Sequence, residues 1–318
     1  MSEQIVTIHN SAAQALHCLL EEPASGAPRR DVACLLLSPG VKMRVAPHRL
    51  YRKLASVFLE RGMPVLRVDF HGLGDSGGEL PEAQLDQLYR QVQLGRHVDD
   101  VLSAMNHLAQ RHGIRKFVVG GLCGGAITGL LAAERDPRIV GLYAIGIPVV
   151  LDGTGAHESV NMSRGQLSSL RERYVRKIFN PSALWRLLTL RSDFRLIFAS
   201  LFARFGQRKR FTGAGAWVEA VPTPAVQPSA NLNPGFVRAL FRMLRERSPV
   251  LLLFSGADRL EWELREKFVE PWAHALESLA GSLTIETIPA ANHVLGHPAW
   301  VAEARQRTAS WLDSRFPP

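Results

Sequence analysis

Short apolar runs alternate with amphipathic stretches along the first 150 residues of the chain. Val32–Leu37 is apolar at every position, which is typical of a strand buried on both faces. The following stretch, His48–Arg61, has apolar residues at helical spacing and is followed by Gly62, a common helix stop. Repeated alternation of this kind predicts a mostly parallel sheet with helices on both faces.

The same criteria predict the remaining elements. Two short runs near the start predict a hairpin, and single strands and helices then alternate to the end of the chain. The further predicted strands are Ile5–Ile8, Ala15–Leu20, Met63–Phe70, a strand from Lys116, Ile139–Val150, Ser248–Ser255 and Leu283–Ile288. The further predicted helices are one or two within residues 81–112, one ending near Asp136, and then Glu261–Leu279 and Ala299–Trp311.

The alternation stops between residues 151 and 247. This stretch lacks apolar strand runs, has helical patterning and contains a proline-rich passage at residues 221–228. We therefore expect one α/β core, formed by residues 1–150 and 248–318, with a helical insertion at residues 151–247.

A turn with a thiol at its apex follows the strand that begins at Lys116. The sequence there is Gly-Leu-Cys-Gly-Gly, and a helix of small residues comes directly after it. A nucleophile elbow places its reactive side chain on such a strained strand-to-helix turn, and the flanking positions must be small. Gly121 and Gly125 supply this space around Cys123, and the alternative is a glycine-rich turn with a buried structural cysteine.

An acid and a base follow later strands of the predicted sheet. Asp258 comes after Ser248–Ser255, and His293 comes after Leu283–Ile288. Reactive groups gather at the carboxyl ends of parallel strands, so both side chains are expected near Cys123. Taken singly, Asp258 could be a helix-capping residue and His293 an ordinary loop histidine. Together they have the chain order nucleophile, acid, base.

With these three residues the chain resembles the α/β-hydrolase superfamily, in particular its serine-aminopeptidase-like and thioesterase-like branch. The resemblance covers nearly the whole chain, with the insertion in the place of a variable cap. It implies an α/β-hydrolase fold with Cys123, Asp258 and His293 as catalytic triad. It also implies that the backbone N–H groups of Val41 and Gly124 form the oxyanion hole, and that Asp69–Ser76 is a structural turn.

Two departures from the family pattern concern the substrate. Most members have serine where this chain has Cys123, and Pro39 stands where a histidine is usual. Members with cysteine at the elbow include dienelactone-hydrolase-like lactonases and polyester synthases, whose Gly-x-Cys-x-Gly-Gly box is similar to this one.

Other residues compete for the same roles. The stretch Gly74–Gly78 also fits Gly-x-Ser-x-Gly, but no strand directly precedes Ser76 and no small-residue helix directly follows it. Asp152, at the end of the strand before the insertion, is the alternative acid. His71 and Leu122 are candidate site-lining residues.

Three cysteines without CxxC spacing predict neither a disulfide framework nor a zinc site, and no metal or cofactor is expected. No secretory signal and no apolar run of spanning length are visible, so a cytoplasmic protein is expected.

The net charge is +9, and its excess lies within residues 160–215, where twelve basic residues face only Glu172 and Asp193. An apolar helical stripe runs through the same segment. One interpretation is a cap helix with solvated arginines. The other is an acyl tunnel whose basic rim receives coenzyme A, an acidic carrier protein or an anionic membrane surface. No motif for nucleic acid accompanies the charge. The basic residues are Arg164, Arg171, Arg173, Arg176, Lys177, Arg186, Arg191, Arg195, Arg204, Arg208, Lys209 and Arg210.

The sequence therefore predicts hydrolysis of an ester or thioester through an acyl-enzyme on Cys123. Acyl transfer through the same triad is one alternative, because thioesters pass acyl groups readily to thiols, amines and alcohols. A hydrolase-fold protein that binds without catalysis is the other.

Overall fold

The computed structural model describes residues 2–24, 29–81, 85–151 and 221–317. Residues 152–220 lie outside the described part, and with them lie Asp152, the basic residues and the apolar stripe.

An eight-stranded sheet forms the centre of the molecule, in the order β1-β2-β4-β3-β5-β6-β7-β8. β1 and β2 form an antiparallel hairpin, β2 pairs antiparallel with β4, and all other neighbours are parallel. The predicted α/β-hydrolase architecture of the core is thus confirmed. The strands are β1 Ser2–His9, β2 Ala15–Glu22, β3 Val32–Leu37, β4 Val65–Val68, β5 Lys116–Leu122, β6 Ile139–Ile145, β7 Val250–Ser255 and β8 Leu283–Ile288.

Helices cover both faces of this sheet. They are α1 Leu50–Leu59, α2 Leu85–Gln93, α3 Val98–His112, α4 Gly124–Ala133, α5 Pro234–Arg245, α6 Arg259–Leu264, α7 Ala273–Glu277 and α8 Pro298–Arg315. A 3₁₀ turn, Pro47–Arg49, precedes α1, and a π-helical turn, Arg265–Val269, follows α6. None of the helices in the described ranges combines the length and apolar character of a membrane-spanning segment.

Several predicted elements differ in extent, and two of the differences have a clear physical reason. The strand predicted at Ile139–Val150 ends at Ile145, because the backbone turns at Gly146 with a φ of 53°. The helix predicted at Glu261–Leu279 is broken into α6, the π-helical turn and α7. Pro271 lies at the second break, where a proline cannot donate the next helical hydrogen bond.

The core consists of two apolar clusters on opposite faces of the sheet. Alternate residues of β3 show the division, since Leu35 and Leu37 belong to one cluster and Cys34 and Leu36 to the other. Cys34 and Cys18, on β3 and β2, are fully buried in these clusters.

The last part of the predicted insertion is described from residue 221 onward. Its helix α5 packs against α4, and seven of its side chains, including Phe236 and Leu240, are buried in the larger cluster. Asn233 caps α5 by accepting from the backbone N–H groups of Gly235 and Phe236. Although its residues lie within the range predicted as an insertion, this helix packs as part of the core.

Candidate active site

Cys123 stands between β5 and α4 in a backbone conformation that is rare for a side-chain-bearing residue. Its φ is 53° and its ψ is −111°. Its N–H donates to the carbonyl of Ile145 on the neighbouring strand at 2.8 Å, which fixes the turn to the sheet. Such local strain persists only when the surrounding structure enforces it, and it is common at functional sites.

The glycines around the elbow are required by close backbone approach. A Cβ on Gly121 would lie 2.3 Å from the Tyr51 hydroxyl, and a Cβ on Gly125 would lie 2.3 Å from the carbonyl oxygen of Leu37. Both distances are shorter than any real Cβ contact. The small residues of the Gly-x-Cys-x-Gly sequence therefore let β5 and α4 pass against β3.

Asp258 and His293 meet beside this turn. His293 Nδ1 donates to Asp258 Oδ2 at 2.5 Å, and the Cys123 thiol lies close enough to the His293 ring to influence its pKa. Asp258 occupies the N-cap position of α6, but its side chain makes no capping hydrogen bond. Its carboxylate is thus directed to the histidine and not to the helix.

The pKa of His293 reports this environment. Burial by itself lowers the pKa of the imidazole, but the hydrogen bonds and charges of Asp258 and Cys123 outweigh it and raise the pKa to about 10. Gly146 leaves room for the ring, because a Cβ there would lie 3.3 Å from His293 Cε1.

The two predicted oxyanion donors lie close together but are not equally free. Gly124 is the first residue of α4, so its N–H has no acceptor within the helix. The N–H of Val41 donates to the carbonyl of Pro39 at 3.0 Å, in a tight turn in which Gly40 has a φ of 74°. A Cβ on Gly124 would lie 2.4 Å from Gly40 Cα, so the two loops are in contact.

A cavity of about 650 Å³ opens above Cys123. One wall is α2, a helix that sequence analysis did not place at the site although its apolar side chains recur at helical spacing. The other walls combine the triad with the chain after β6 and the start of α6. The described lining residues are Leu85, Asp86, Tyr89, Val92, Gln93, Cys123, Gly124, Pro148, Asp258, Arg259, Leu260 and His293.

Two residues predicted as candidate lining residues are not among them. The side chain of His71 turns to Asp100 on α3, and the two are joined by a 2.8 Å hydrogen bond between His71 Nδ1 and Asp100 Oδ2. Leu122 is 2% exposed and packs in the smaller apolar cluster, because alternate residues of β5 face opposite sides of the sheet.

Ser76, the competing candidate nucleophile, is buried in the turn after β4. Its hydroxyl accepts from the N–H of His17 and donates to the carbonyl of Asp69, both at 2.8 Å. The carboxylate of Asp69 in turn binds Arg44 and accepts from Ser38 Oγ at 3.2 Å. The Asp69–Ser76 turn is thus held by its own hydrogen bonds.

Comparisons with known proteins agree with this architecture. Residues 18–304 match the alpha/beta hydrolase family in a scan against protein families. No curated protein matches the sequence. Among solved structures, an esterase of Pyrococcus furiosus is similar with a TM-score of 0.54 at 14% identity, over 99% of this chain and 92% of that one.

Two further solved structures are similar to the same extent. Est1E from Butyrivibrio proteoclasticus, solved with ferulic acid bound, has a TM-score of 0.52 at 12% identity, over 98% of this chain and 100% of that one. A serine hydrolase without a lid from Xanthomonas campestris has a TM-score of 0.51 at 13% identity, over 100% and 97% of the two chains. These likenesses show the fold, and the sequence match extends over most of the chain. The chain belongs to the alpha/beta hydrolase family.

Proposed function

We propose that this protein hydrolyses an ester or thioester bond of an acyl substrate, with Cys123 as nucleophile, His293 as base and Asp258 as orienting acid. The observation that carries the proposal is the His293 imidazole, which is hydrogen-bonded to Asp258 and lies beside the Cys123 thiol in the lining of one cavity. This is the nucleophile–base–acid relationship on which acyl-transfer enzymes rely.

The reaction follows from this arrangement. In the reactive pair the proton of Cys123 is held on His293 Nε2, in agreement with the raised pKa of His293, and the sulfur attacks the acyl carbonyl carbon. The tetrahedral intermediate collapses by breaking the bond to the leaving alcohol or thiol, which takes the proton from His293. Water then attacks the acyl-cysteine, giving one proton to His293, and the carboxylic acid leaves as the Cys123 sulfur recovers its proton.

Oxyanion stabilisation in this proposal starts from the Gly124 N–H at the N-terminus of α4, where the helix dipole also favours negative charge. Val41 is the second proposed donor. Its N–H must leave the Pro39 carbonyl to reach the oxyanion, so we propose that the turn at Gly40 rearranges when the substrate binds.

The cavity suits the acyl part of the substrate. Leu85, Tyr89 and Val92 of α2 give one apolar wall, and Leu260 gives another. We favour a thioester as the substrate. When its acyl group moves to Cys123, one thioester bond is broken and another is formed, so the step costs little free energy. The esterases among the similar structures, one of them with ferulic acid bound, support a carboxylic ester as the alternative.

We propose coenzyme A, an acidic carrier protein or an anionic membrane surface as the partner of the insertion. This proposal rests only on the positive charge of residues 160–215. The cytoplasmic setting is likewise proposed on sequence, and three unpaired cysteines support a reducing compartment. Acyl transfer is the second candidate function, because an acyl-cysteine can be captured by a thiol, amine or alcohol in place of water.

Intact-protein mass spectrometry after incubation with acyl thioesters and p-nitrophenyl esters of several chain lengths tests the proposal. We expect an acyl adduct on the wild type and on Cys18→Ala, and none on Cys123→Ala. Turnover with and without added acceptors then separates hydrolysis from transfer. An adduct that persists in Cys123→Ala refutes the nucleophile. No reaction of Cys123 with any acyl substrate or with iodoacetamide supports the non-catalytic binding protein.

A further inference from the structure

Three potential metal ligands lie together away from the described cavity lining. His71 is in the turn after β4, His97 directly precedes α3, and Asp100 is in the first turn of α3. One ligand atom from each residue lies within 4.8 Å of those of the other two. Their positions along the chain form no recognised ligand motif, so a site here could not be predicted from the sequence.

His97 is the unusual member of this cluster. Its side chain is 0% exposed, and neither ring nitrogen has a hydrogen-bond partner among the described residues. The ring stacks on Phe70 with centroids 4.5 Å apart and planes at 7°, which fixes its orientation. Leaving buried polar atoms unpaired is unfavourable, so an imidazole in this position calls for an explanation.

Asp100 is oriented as a ligand would be. Its Oδ1 accepts from Asn10 Nδ2 at 2.8 Å, and its Oδ2 accepts from the backbone N–H of His71 at 2.9 Å and is turned to both histidine rings. Oδ2 lies 2.8 Å from His71 Nδ1 and 3.5 Å from His97 Nδ1. A carboxylate held by an outer hydrogen bond while its second oxygen faces two imidazoles is the usual supporting arrangement of a metal site.

The protonation states are also suitable. Burial has the largest influence on the pKa of His97 and lowers it. The lowered pKa favours the neutral imidazole, which is the form that binds metals. Although burial raises the pKa of Asp100, the hydrogen bonds from His71 and Asn10, together with the nearby His97 ring, outweigh it and hold that pKa well below its usual range. Asp100 is therefore ionised at neutral pH.

We propose that His71, His97 and Asp100 bind a divalent transition-metal ion, with Zn²⁺ as the ion best matched to two imidazoles and one carboxylate. In a tetrahedral zinc site with bonds of about 2.0 Å, neighbouring ligand atoms stand about 3.3 Å apart. The 3.5 Å separation of His97 from Asp100 already fits this geometry.

The contact between His71 and Asp100 must open by about 0.5 Å to reach the same spacing. The ion replaces the proton that now lies between them, and that proton moves to His71 Nε2 or to solvent. Two neutral imidazoles and one carboxylate leave the site with a net charge of +1. An exogenous water completes the coordination, as is common where the protein supplies three ligands.

Calorimetric titration of the chelator-treated full chain with ZnCl₂ tests this site. The Cys123→Ala background is used, because Cys123 and His293 could themselves bind zinc. We expect one equivalent to bind, and at least tenfold weaker binding after His97→Phe, which keeps the stacking on Phe70. Asn10→Ala should weaken binding 10- to 100-fold through loss of the outer hydrogen bond. His107→Gln, on α3 outside the cluster, should leave binding unchanged.

A further measurement and a replacement variant keep the test decisive. Co²⁺ should give the visible absorption of a four-coordinate site in the parent protein and not in His97→Phe. If His97→Phe does not fold, His71→Gln, at a partly exposed ligand, replaces it. Equal zinc affinity in the parent and the ligand variants, or no binding by a folded parent, overturns the proposal. Neither measurement depends on ester or thioester hydrolysis.

Discussion

The hydroxyl of Tyr51 accepts a 2.7 Å hydrogen bond from the backbone N–H of Leu122, the residue that precedes Cys123. The same hydroxyl donates to the carbonyl of Leu37 on β3, also at 2.7 Å. Tyr51 is fully buried, so one phenol group ties the end of β5 to β3 directly beneath the strained elbow. Gly121 is required at this point because a side chain would collide with that hydroxyl.

Tyr51→Phe should therefore affect both stability and turnover. We expect the free energy of unfolding to fall by roughly 1–3 kcal/mol, because the Leu122 N–H is left unpaired in the core. We also expect kcat to fall more than KM changes, because the elbow that positions Cys123 loses its tether. Denaturant unfolding and steady-state kinetics on an acyl substrate measure the two effects.

Tyr143→Phe is the matched control. Tyr143 is also fully buried, and its hydroxyl shares a 2.9 Å hydrogen bond with Thr308 Oγ1. Thr308 keeps its other hydrogen bond, to the carbonyl of Ala304. This variant should lose stability with little change in kcat. Equal losses of kcat in the two variants would show that Tyr51 contributes to core packing and does not specifically position the elbow.

Asp258→Asn tests the acid of the proposed triad. We expect kcat to fall by about 10⁴-fold with the fold intact, because an amide does not hold the imidazole in the required tautomer. Circular dichroism checks folding, and single-turnover acylation of Cys123 measures the rate. Asp152→Asn, at the alternative acid, should have a small effect. A larger loss in Asp152→Asn than in Asp258→Asn would transfer the role to Asp152.

Ser76→Ala separates the structural serine from the proposed nucleophile. Its hydroxyl supports the turn through His17 and Asp69, and its removal leaves the partly buried N–H of His17 unpaired. The free energy of unfolding should fall by roughly 1–3 kcal/mol. Acylation of Cys123, followed by intact mass, should remain at the wild-type level. Loss of the adduct in a folded Ser76→Ala protein would contradict the proposed site.

The raised pKa of His293 predicts a pH-dependent contribution to stability. The folded-state pKa is about 10, whereas an unfolded histidine titrates near 6.5. Below about pH 6.5 both states hold the proton and the stabilisation is complete. Between these two values the folded state binds more protons, so stability falls as pH rises.

Denaturant titrations of wild type and His293→Gln at pH 6, 8 and 10 measure this contribution. The stability advantage of the wild type should be largest at pH 6 and smallest at pH 10. Solvent screening moderates its size, since about a third of the His293 side chain is exposed. A constant difference across the range would show that the imidazolium is not preferentially stabilised in the fold.

Patterns local in the chain predicted the core fold well. Continuous apolar runs such as Val32–Leu37 and the glycines around Cys123 carry their own structural requirements, so strands and elbow follow from neighbouring residues. The positions of Asp258 and His293 followed from strand order, because parallel strands end at one edge of the sheet. The sheet then brings their side chains together beside Cys123.

Features that depend on distant contacts were not predictable in this way. Tyr51 lies within the helix predicted at His48–Arg61, and only the packing of α1 on the sheet brings its hydroxyl to Leu122. The Val41 N–H bonds to Pro39 because Gly40 adopts a left-handed conformation, which sequence position alone does not impose. His97 and Asp100 approach His71 only when α3 packs beside the turn after β4.

The burial of the other two cysteines has a practical consequence. Burial raises the pKa of the Cys18 thiol to about 12 and that of Cys34 well above its ordinary value, whereas Cys123 is partly exposed. Thiolates are the species that alkylating reagents attack. The folded chain therefore presents one accessible sulfur and the unfolded chain three. The number of thiols that react with an alkylating reagent therefore reports whether the chain is folded and whether the elbow is accessible. The measurement needs no introduced label.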